Sequence, residues 1–439
     1  MRCSFVHFGD VHLGTQQYDS PERLNDFGKA WLFACEYIAR ERPDFAICTG
    51  DLFNRFTINP LTFDQALAGL RLVREAGVPI VDIQGNHDRA RYGESRTWLH
   101  TLADQGLLTY LDVDTGGGGI ALRRIDRGSH LGSFVEWNGC RITGLRYLGA
   151  STERVLEGLA PELAAFPRDG AFNILVLHAG LEGIIPNFNA ELTVDAVERL
   201  RGPVDYVALG HIHKHYAIGN FVYNGGSLET WALNEWSWPR GLLHVEIDTT
   251  QANPVAYRLI DVPRRPFCLM RVDVDDFSSP NALLHACLER LQRERARQTD
   301  ERPVAIMSLT GHLRFDQIDL PVNKLEDACR EILDPLVTLV REQFDAREFT
   351  NEGADESDEA IDRPALERSI IQARLAADDR YAARAPVLAR VAIELKEQAL
   401  RDTPGDELLG VFRRGISADL PGAPDVPEEP VAVGEEANP

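Results

Sequence analysis

The chain has 439 residues, enough for two or three domains, with 44% hydrophobic and 26% charged residues, as in ordinary soluble globular proteins. No run approaches the ~20 uncharged apolar residues of a membrane helix, the start MRCSFVHFGDVHLG lacks a signal-peptide pattern, and the seven cysteines, odd in number and without a CxxC pair, read as reduced thiols of a cytoplasmic protein. The net charge is −22, and half of it lies in residues 345–439, where 22 acidic face 11 basic residues, so the composition advertises no basic nucleic-acid surface.

Up to about residue 264, short apolar runs alternate with amphipathic segments. SFVHF (4–8) reads as a buried strand and 23–42 as a helix; FAICT (45–49) is a second strand. The helix expected over 61–76 has Phe63, Leu67, Leu70 and Val73 on its apolar face and Gly77 as its stop. PIVDI (79–83) is a third strand, and 94–105 has a helical pattern. The loop 115–119 lacks the Lys-Ser/Thr that would follow in a phosphate loop. NILVLH (173–178) and VDYVALG (204–210) complete the strands of an α/β layered domain. VPRRPF (262–267) marks a boundary. Beyond it, FCLMRVDV, a helix from about Pro280, PVAIMSLTG, a helix over 322–333 and VTLVREQF predict a second, smaller α/β domain over 265–344. Residues 345–362 read as an acidic linker, 363–414 as a helical segment with two helices over 363–402, and 415–439 as a disordered tail.

Each buried strand runs into residues that bind metals. The first leads to Asp10 and His12, the second to Asp51, the third to Asn86, His87 and Asp88; the last two end on His178 and on His211 and His213. Layered α/β sheets place their sites at such strand ends. Gly9, Gly50, Gly85 and Gly210 fit sharp exits that must leave room. One D-x-H or one edge histidine is usually structural; five such features at five strand ends point to a shared site. With Asp51 bridging, Asp10, His12, Asp51, Asn86, His178, His211 and His213 give each of two cations four protein ligands. Imidazole and carboxylate without thiolate suit Mn, Fe or Zn better than Mg or Ca.

In this order, GDVH, GDLFN, GNHDR, LHAG and GHIHK, followed by VYNGGSLE (222–229), resemble the calcineurin-like metallophosphoesterases, and more closely the SbcD-type (Mre-eleven-like) DNA double-strand-break repair nucleases. The resemblance covers residues 1–264, with 265–344 similar to the family's capping domain. It implies one metal on Asp10, His12, Asp51 and His213 and another on Asp51, Asn86, His178 and His211, both most readily Mn2+. It also implies His87 as a proton-transfer residue oriented by Asp88. Relatives often carry a second catalytic histidine three residues after the bridging aspartate; Asn54 stands there and can only hydrogen-bond a phosphate oxygen. The implied activity is 3′-to-5′ exonuclease and single-strand endonuclease action on DNA. The implied partners are an SbcC-type SMC-like ATPase, docked by the C-terminal helices, and a second copy of the chain, paired through helices carrying Leu67, Leu70, Trp98 and Leu102. The alternatives are a phosphomonoesterase or cyclic-nucleotide phosphodiesterase of the same superfamily, and a non-catalytic scaffold.

Arg55, Arg89, Arg91 and Lys214 flank the motif loops and are candidates for gripping a DNA backbone. Tyr92, Trp231, Trp236 and Trp238 are candidates for base stacking, with packing as the plainer role. His215 lies beyond the ligand motif and reads as solvated or near a phosphate.

Overall fold

The computed structural model describes residues 1–91, 93–116, 119–125, 130–297, 301–345, 363–376, 381–399 and 405–417. Tyr92, nearly all of the expected acidic linker and nearly all of the expected tail lie outside the described residues. The chain divides into a unit of residues 1–347 and a second unit of residues 348–439.

In the first unit, two sheets lie face to face. One has seven strands in the order Val255–Ile260, Leu242–Asp248, Arg2–Phe8, Phe45–Cys48, Ile80–Asp82, Thr109–Leu111, Leu131–Gly132. The other has six, in the order Tyr216–Ile218, Val222–Asn224, Tyr206–Gly210, Phe172–His178, Cys140–Leu145, Phe134–Trp137. Between them a core of Phe5, Phe45, Ile47, Val81, Ile142, Ile174, Val176 and Tyr206 is sealed from water. Because both faces of the central strands are covered, these strands read as unbroken apolar runs. The outer face of the first sheet is covered by Pro21–Glu41, Pro60–Glu75 and Trp98–Asp104, and that of the second by Thr152–Ala165 and Val194–Glu198. The first two helices begin on a cap and a proline: Ser20 Oγ accepts from the Arg23 amide at 3.3 Å and Asn59 Oδ1 from the Thr62 amide at 2.8 Å.

Arg2–Phe8, Phe45–Cys48 and Ile80–Asp82 run parallel, as do Phe172–His178 and Tyr206–Gly210. Their carboxyl ends therefore emerge together. The exits of the first two stay bonded after the sheet stops: Asp10 donates to the Gly50 carbonyl at 3.0 Å, His12 to Asp51 at 2.9 Å and Leu13 to Leu52 at 2.9 Å.

Residues 267–345 form a three-stranded parallel sheet, Phe267–Asp273, Val304–His312 and Val337–Asp345, with Pro280–Arg295 and Val322–Leu333 packed on one face. Met270, Leu283, Cys287, Met307, Leu325 and Cys329 fill its own core. Ser279 caps Pro280–Arg295 by accepting from the Ala282 amide at 3.3 Å. Arg265, just before this sheet, clasps Asp26 of the first helix with bonds of 2.6 and 2.9 Å.

Among the described residues, the second unit contains three α-helices, Arg363–Ala376, Ala385–Ala399 and Gly405–Ser417, where two were expected over 363–402. Ala385, Ala389, Val391, Ile393 and Val411 are buried among them. The third helix was passed over because Thr403-Pro404-Gly405 signals a loop before it and Gly405, Gly410 and Gly415 disfavour a helix by residue type, although Leu408, Val411, Phe412 and Ile416 are spaced to share one face. The expected helix over 94–105 shrinks to Trp98–Asp104, capped at Thr97. Its Leu102, and Leu70 of Pro60–Glu75, are in the core of this chain, so neither offers a surface to a second copy. Leu67 packs partly against the same core. Trp98 is exposed, its ring tilted against that of Phe63 with centroids 5.4 Å apart and its Nε1 donating to the Phe56 carbonyl at 2.9 Å; Phe56 and Leu61 are exposed as well.

Candidate metal centre

The strand ends bring together all seven candidate ligands. Three carboxylate-histidine groups, Asp10 with His12 and His213, His12 with Asp51 and His87, and Asp10 with Asp51 and His178, each have their donor atoms within 4.8 Å of one another. Asn86 completes the set: its Oδ1 lies 3.0 Å from His178 Nε2 and 2.9 Å from His211 Nδ1.

The protein around the rings decides which nitrogen faces inward. His178 Nδ1 lies 2.7 Å from the Thr49 carbonyl, which can only accept, so Nδ1 carries a proton in either charge state and Nε2 is the nitrogen left facing Asn86 Oδ1 and, at 3.3 Å, Asp51 Oδ2. His213 Nδ1 lies 3.0 Å from both oxygens of Glu235, which leaves Nε2 facing His12 Nε2 at 3.0 Å. His211 Nε2 lies 3.4 Å from Glu191, so Nδ1 turns toward Asn86. His12 Nδ1 is buried without a partner among the described residues. Lone pairs facing each other at about 3 Å repel unless a cation lies among them. Metal bonds of about 2.0–2.2 Å place neighbouring ligand atoms roughly this far apart. The donor set therefore fits divalent cations.

Asp51 is divided between two tasks. Its Oδ1 accepts from the His87 amide at 2.8 Å; its Oδ2 faces His178 and, at 3.9 Å, His12 Nε2. Burial disfavours its charge, but His178, His12 and His87 outweigh burial and hold it ionised below the usual carboxylate range. Burial also opposes charge on His178, yet Asp51 and Asp10 raise it to about 10. A cation among the same carboxylates supplies that positive charge instead and takes the ring neutral. His12 is driven well below the ordinary imidazole value, first by burial and then by His213, so it stands ready as a neutral donor.

The backbone carries strain here. Asp10, His12, Asp51 and His211 have φ of 51°, 52°, 55° and 84°, in the left-handed region that non-glycine residues seldom enter. Gly85 is required by crowding: a Cβ on it would stand 2.0 Å from Asp51 Oδ1.

Two expectations change. Asp88 does not orient His87. Its carboxylate accepts from the amides of Leu52, Phe53 and Gly85 at 3.2, 2.9 and 3.3 Å, so it ties the two motif loops together. The imidazole of His87 is held instead by the Asn54 carbonyl, 2.8 Å from Nδ1. The side chain of Asn54 accepts from Trp231 Nε1 at 2.9 Å, which leaves its amino end to meet an anion. His215 turns away, with Nδ1 2.6 Å from the Asn224 carbonyl.

Sequence reasoning passed over Tyr147 and Glu191 among the surrounding groups, whereas Trp231 and Arg89 are among its candidates. Trp231 packs as a wall, its ring 5.5, 5.7 and 5.6 Å from those of His12, His87 and His213. Tyr147 forms the opposite wall, 5.4 Å from His211, and donates to Glu191 at 3.1 Å. Glu191 also accepts from the Gly180 amide at 2.8 Å. Arg89 lies over the Tyr147 ring at 5.4 Å and donates to the Asn86 carbonyl. Arg55 and Arg91 are exposed and Lys214 is half-buried.

Residues 3–215 match the family model described as calcineurin-like phosphoesterase. The chain carries a calcineurin-like phosphoesterase domain. The chain is 30% identical over 243 residues to the DNA double-strand break repair protein Mre11 of Archaeoglobus fulgidus, covering 53% of this chain and 52% of that one. It is 26% identical to the protein of the same name from Aeropyrum pernix (62% and 64% of the two chains) and 24% identical to that from Thermoplasma acidophilum (74% and 81%). The chain thus spans about half the length of the first relative and under two thirds of the second. Among the described residues, no helix is long and apolar enough to cross a membrane.

Proposed function

We propose that the protein is a two-metal nuclease that cleaves DNA phosphodiesters in double-strand-break repair. The observation that carries this reading is the convergence of seven nitrogen and oxygen donors at the phosphoesterase domain's strand ends; the similarity to proteins named for break repair supplies DNA as the substrate. Asp10, His12, Asp51 and His213 hold one cation, and Asp51, Asn86, His178 and His211 the other. A bound metal pair clamps a phosphate and lowers the pKa of an attacking water. His87 touches the substrate phosphate and moves the proton to the leaving oxygen, its ring aimed by the Asn54 carbonyl 2.8 Å from Nδ1. The amino end of Asn54 binds a non-bridging oxygen. Arg55, Arg89, Arg91 and Lys214, from the loops that carry the ligands, grip flanking phosphates, which offsets the net −22 locally.

Residues 1–264 act as the catalytic domain, 265–344 as a cap, 345–362 as a linker and 363–414 as the docking segment for an SbcC-type SMC-like ATPase. The exposed Phe56, Leu61 and Trp98 are the apolar surface available for a homodimer. Mn2+ suits the histidine-rich donor set better than Mg2+.

The test uses the full chain with Mn2+ on a labelled single-stranded oligonucleotide, on bis-p-nitrophenyl phosphate, on p-nitrophenyl phosphate and on cyclic AMP. Cleavage of the oligonucleotide, silenced by chelator and restored better by Mn2+ than by Mg2+, is expected. Turnover of p-nitrophenyl phosphate or cyclic AMP with no cleavage of DNA would replace the nuclease reading by a phosphomonoesterase or cyclic-nucleotide phosphodiesterase. Removing residues 350–439 should leave oligonucleotide cleavage near the wild-type rate and abolish co-purification with the ATPase.

A further inference from the structure

Glu235 lies outside every ligand motif, in a short helical turn after the GGSLE segment, and its carboxylate is buried. Both of its oxygens lie 3.0 Å from His213 Nδ1, and Oε2 also accepts from the Ala232 amide at 3.3 Å. Arg240, 1% exposed, stands behind it. That guanidinium donates to the Glu235 backbone carbonyl, lies 3.6 Å from Oε2, and reaches Ser227 Oγ at 2.9 Å and the Glu229 carbonyl at 3.1 Å. Removing a buried carboxylate and its buried arginine from water is costly. A fold that needed only packing at this place would be served by apolar side chains.

We propose that Glu235 is the positioning residue for His213: it accepts the hydrogen bond from Nδ1–H, fixes the ring's orientation and tautomer, and so aims Nε2 into the metal centre, while Arg240 locks Glu235 in place. This deepens the metal-centre reading above and rests on it. The contact is made by a side chain 22 residues beyond the histidine it holds. A carboxylate on the outer nitrogen also makes a ligating imidazole more basic, and losing such a partner typically weakens metal binding about 10–100-fold.

Calorimetric titration of chelator-stripped full-length protein with Mn2+ separates the two claims. Wild-type protein should bind two ions; binding of none would refute the metal-centre reading itself. Given two, Glu235→Ala should lose about 10–100-fold in affinity for one ion and leave the other unchanged, with a native circular dichroism spectrum. Glu235→Gln keeps an acceptor for the Nδ1 proton without its charge and should fall between wild type and alanine. Unchanged affinity for both ions in the folded alanine variant would overturn the proposal. If the alanine variant does not fold, the glutamine variant decides: a deficit at one ion supports the assignment, and affinities equal to wild type overturn it.

Discussion

The two halves of the metal centre are built differently. Asp10, His12 and His213 are all buried, and the two imidazole rings lie against the wall made by Trp231. Of Asn86, His178 and His211, only His178 is fully buried; the other two open to a rim that carries Tyr147, Phe188 and Arg89. One half is closed by protein, and the other is open at its rim. On the proposed reading, the difference teaches that holding a metal and admitting a phosphate fall to opposite sides of a shared carboxylate, Asp51.

The strongest way to break that comparison is to remove one histidine from each half. His213→Ala and His211→Ala should each reduce cleavage at least about a thousandfold, since the electrostatic clamp needs both ions. Each variant should retain one Mn2+ by elemental analysis, and His213→Ala should leave the open half's ion in place. If either variant loses both ions, the halves are not separate. Next comes His87→Ser, which should keep two Mn2+ and lose about 10²–10⁴-fold in turnover; loss of a metal would make His87 a ligand. Gly85→Ala changes no ligand. Yet its new Cβ would fall 2.0 Å from Asp51 Oδ1, so displacement of the shared carboxylate should cost about a hundredfold in rate. Near-wild-type kinetics in that variant would mean that the loop yields.

An effect of similar size is graded with pH. In the metal-free centre, burial opposes the His178 charge, but Asp51 and Asp10 raise the ring to about 10. To ligate, the ring must be neutral, so below that value each binding event releases its proton and affinity rises with pH. Mn2+ titrations at about pH 6 and about pH 8 should differ by roughly a hundredfold for one such proton, tighter at the higher pH. An affinity flat over this range would show that His178 is not among the ligands.

Much of this was legible in the chain itself. Arg2–Phe8, Phe45–Cys48, Phe172–His178 and Tyr206–Gly210 read as strands because burial on both faces leaves an apolar run, and the residues that follow them announce their chemistry by type. Thr152–Ala165 did not read as a helix, since Gly158 and Pro161 interrupt it. The short edge strands Phe134–Trp137 and Tyr216–Ile218 are too brief to show alternation. Glu191, Glu235 and Tyr147 were invisible as site residues for a different reason. They act through contacts between distant loops, and one carboxylate in a polar loop looks like any other until the fold places it. Asp88 was misread because its neighbour in sequence, His87, suggested a partnership that the backbone amides of Leu52, Phe53 and Gly85 had already claimed.

The left-handed backbone at His12 and His211 has a consequence for how such a protein changes over generations. A non-glycine residue in that conformation costs about 1–3 kcal/mol, whereas glycine there costs about 0.5–1 kcal/mol in chain entropy. At His211, whose ring is half-buried, glycine relieves that cost, whereas at His12 the cavity left by a fully buried ring outweighs the relief. His211→Gly should therefore raise the melting temperature of the metal-free protein while destroying its hydrolysis. Where selection for cleavage is lifted, heat resistance alone would draw this position toward glycine, and a descendant that keeps its histidine there is still being selected for chemistry.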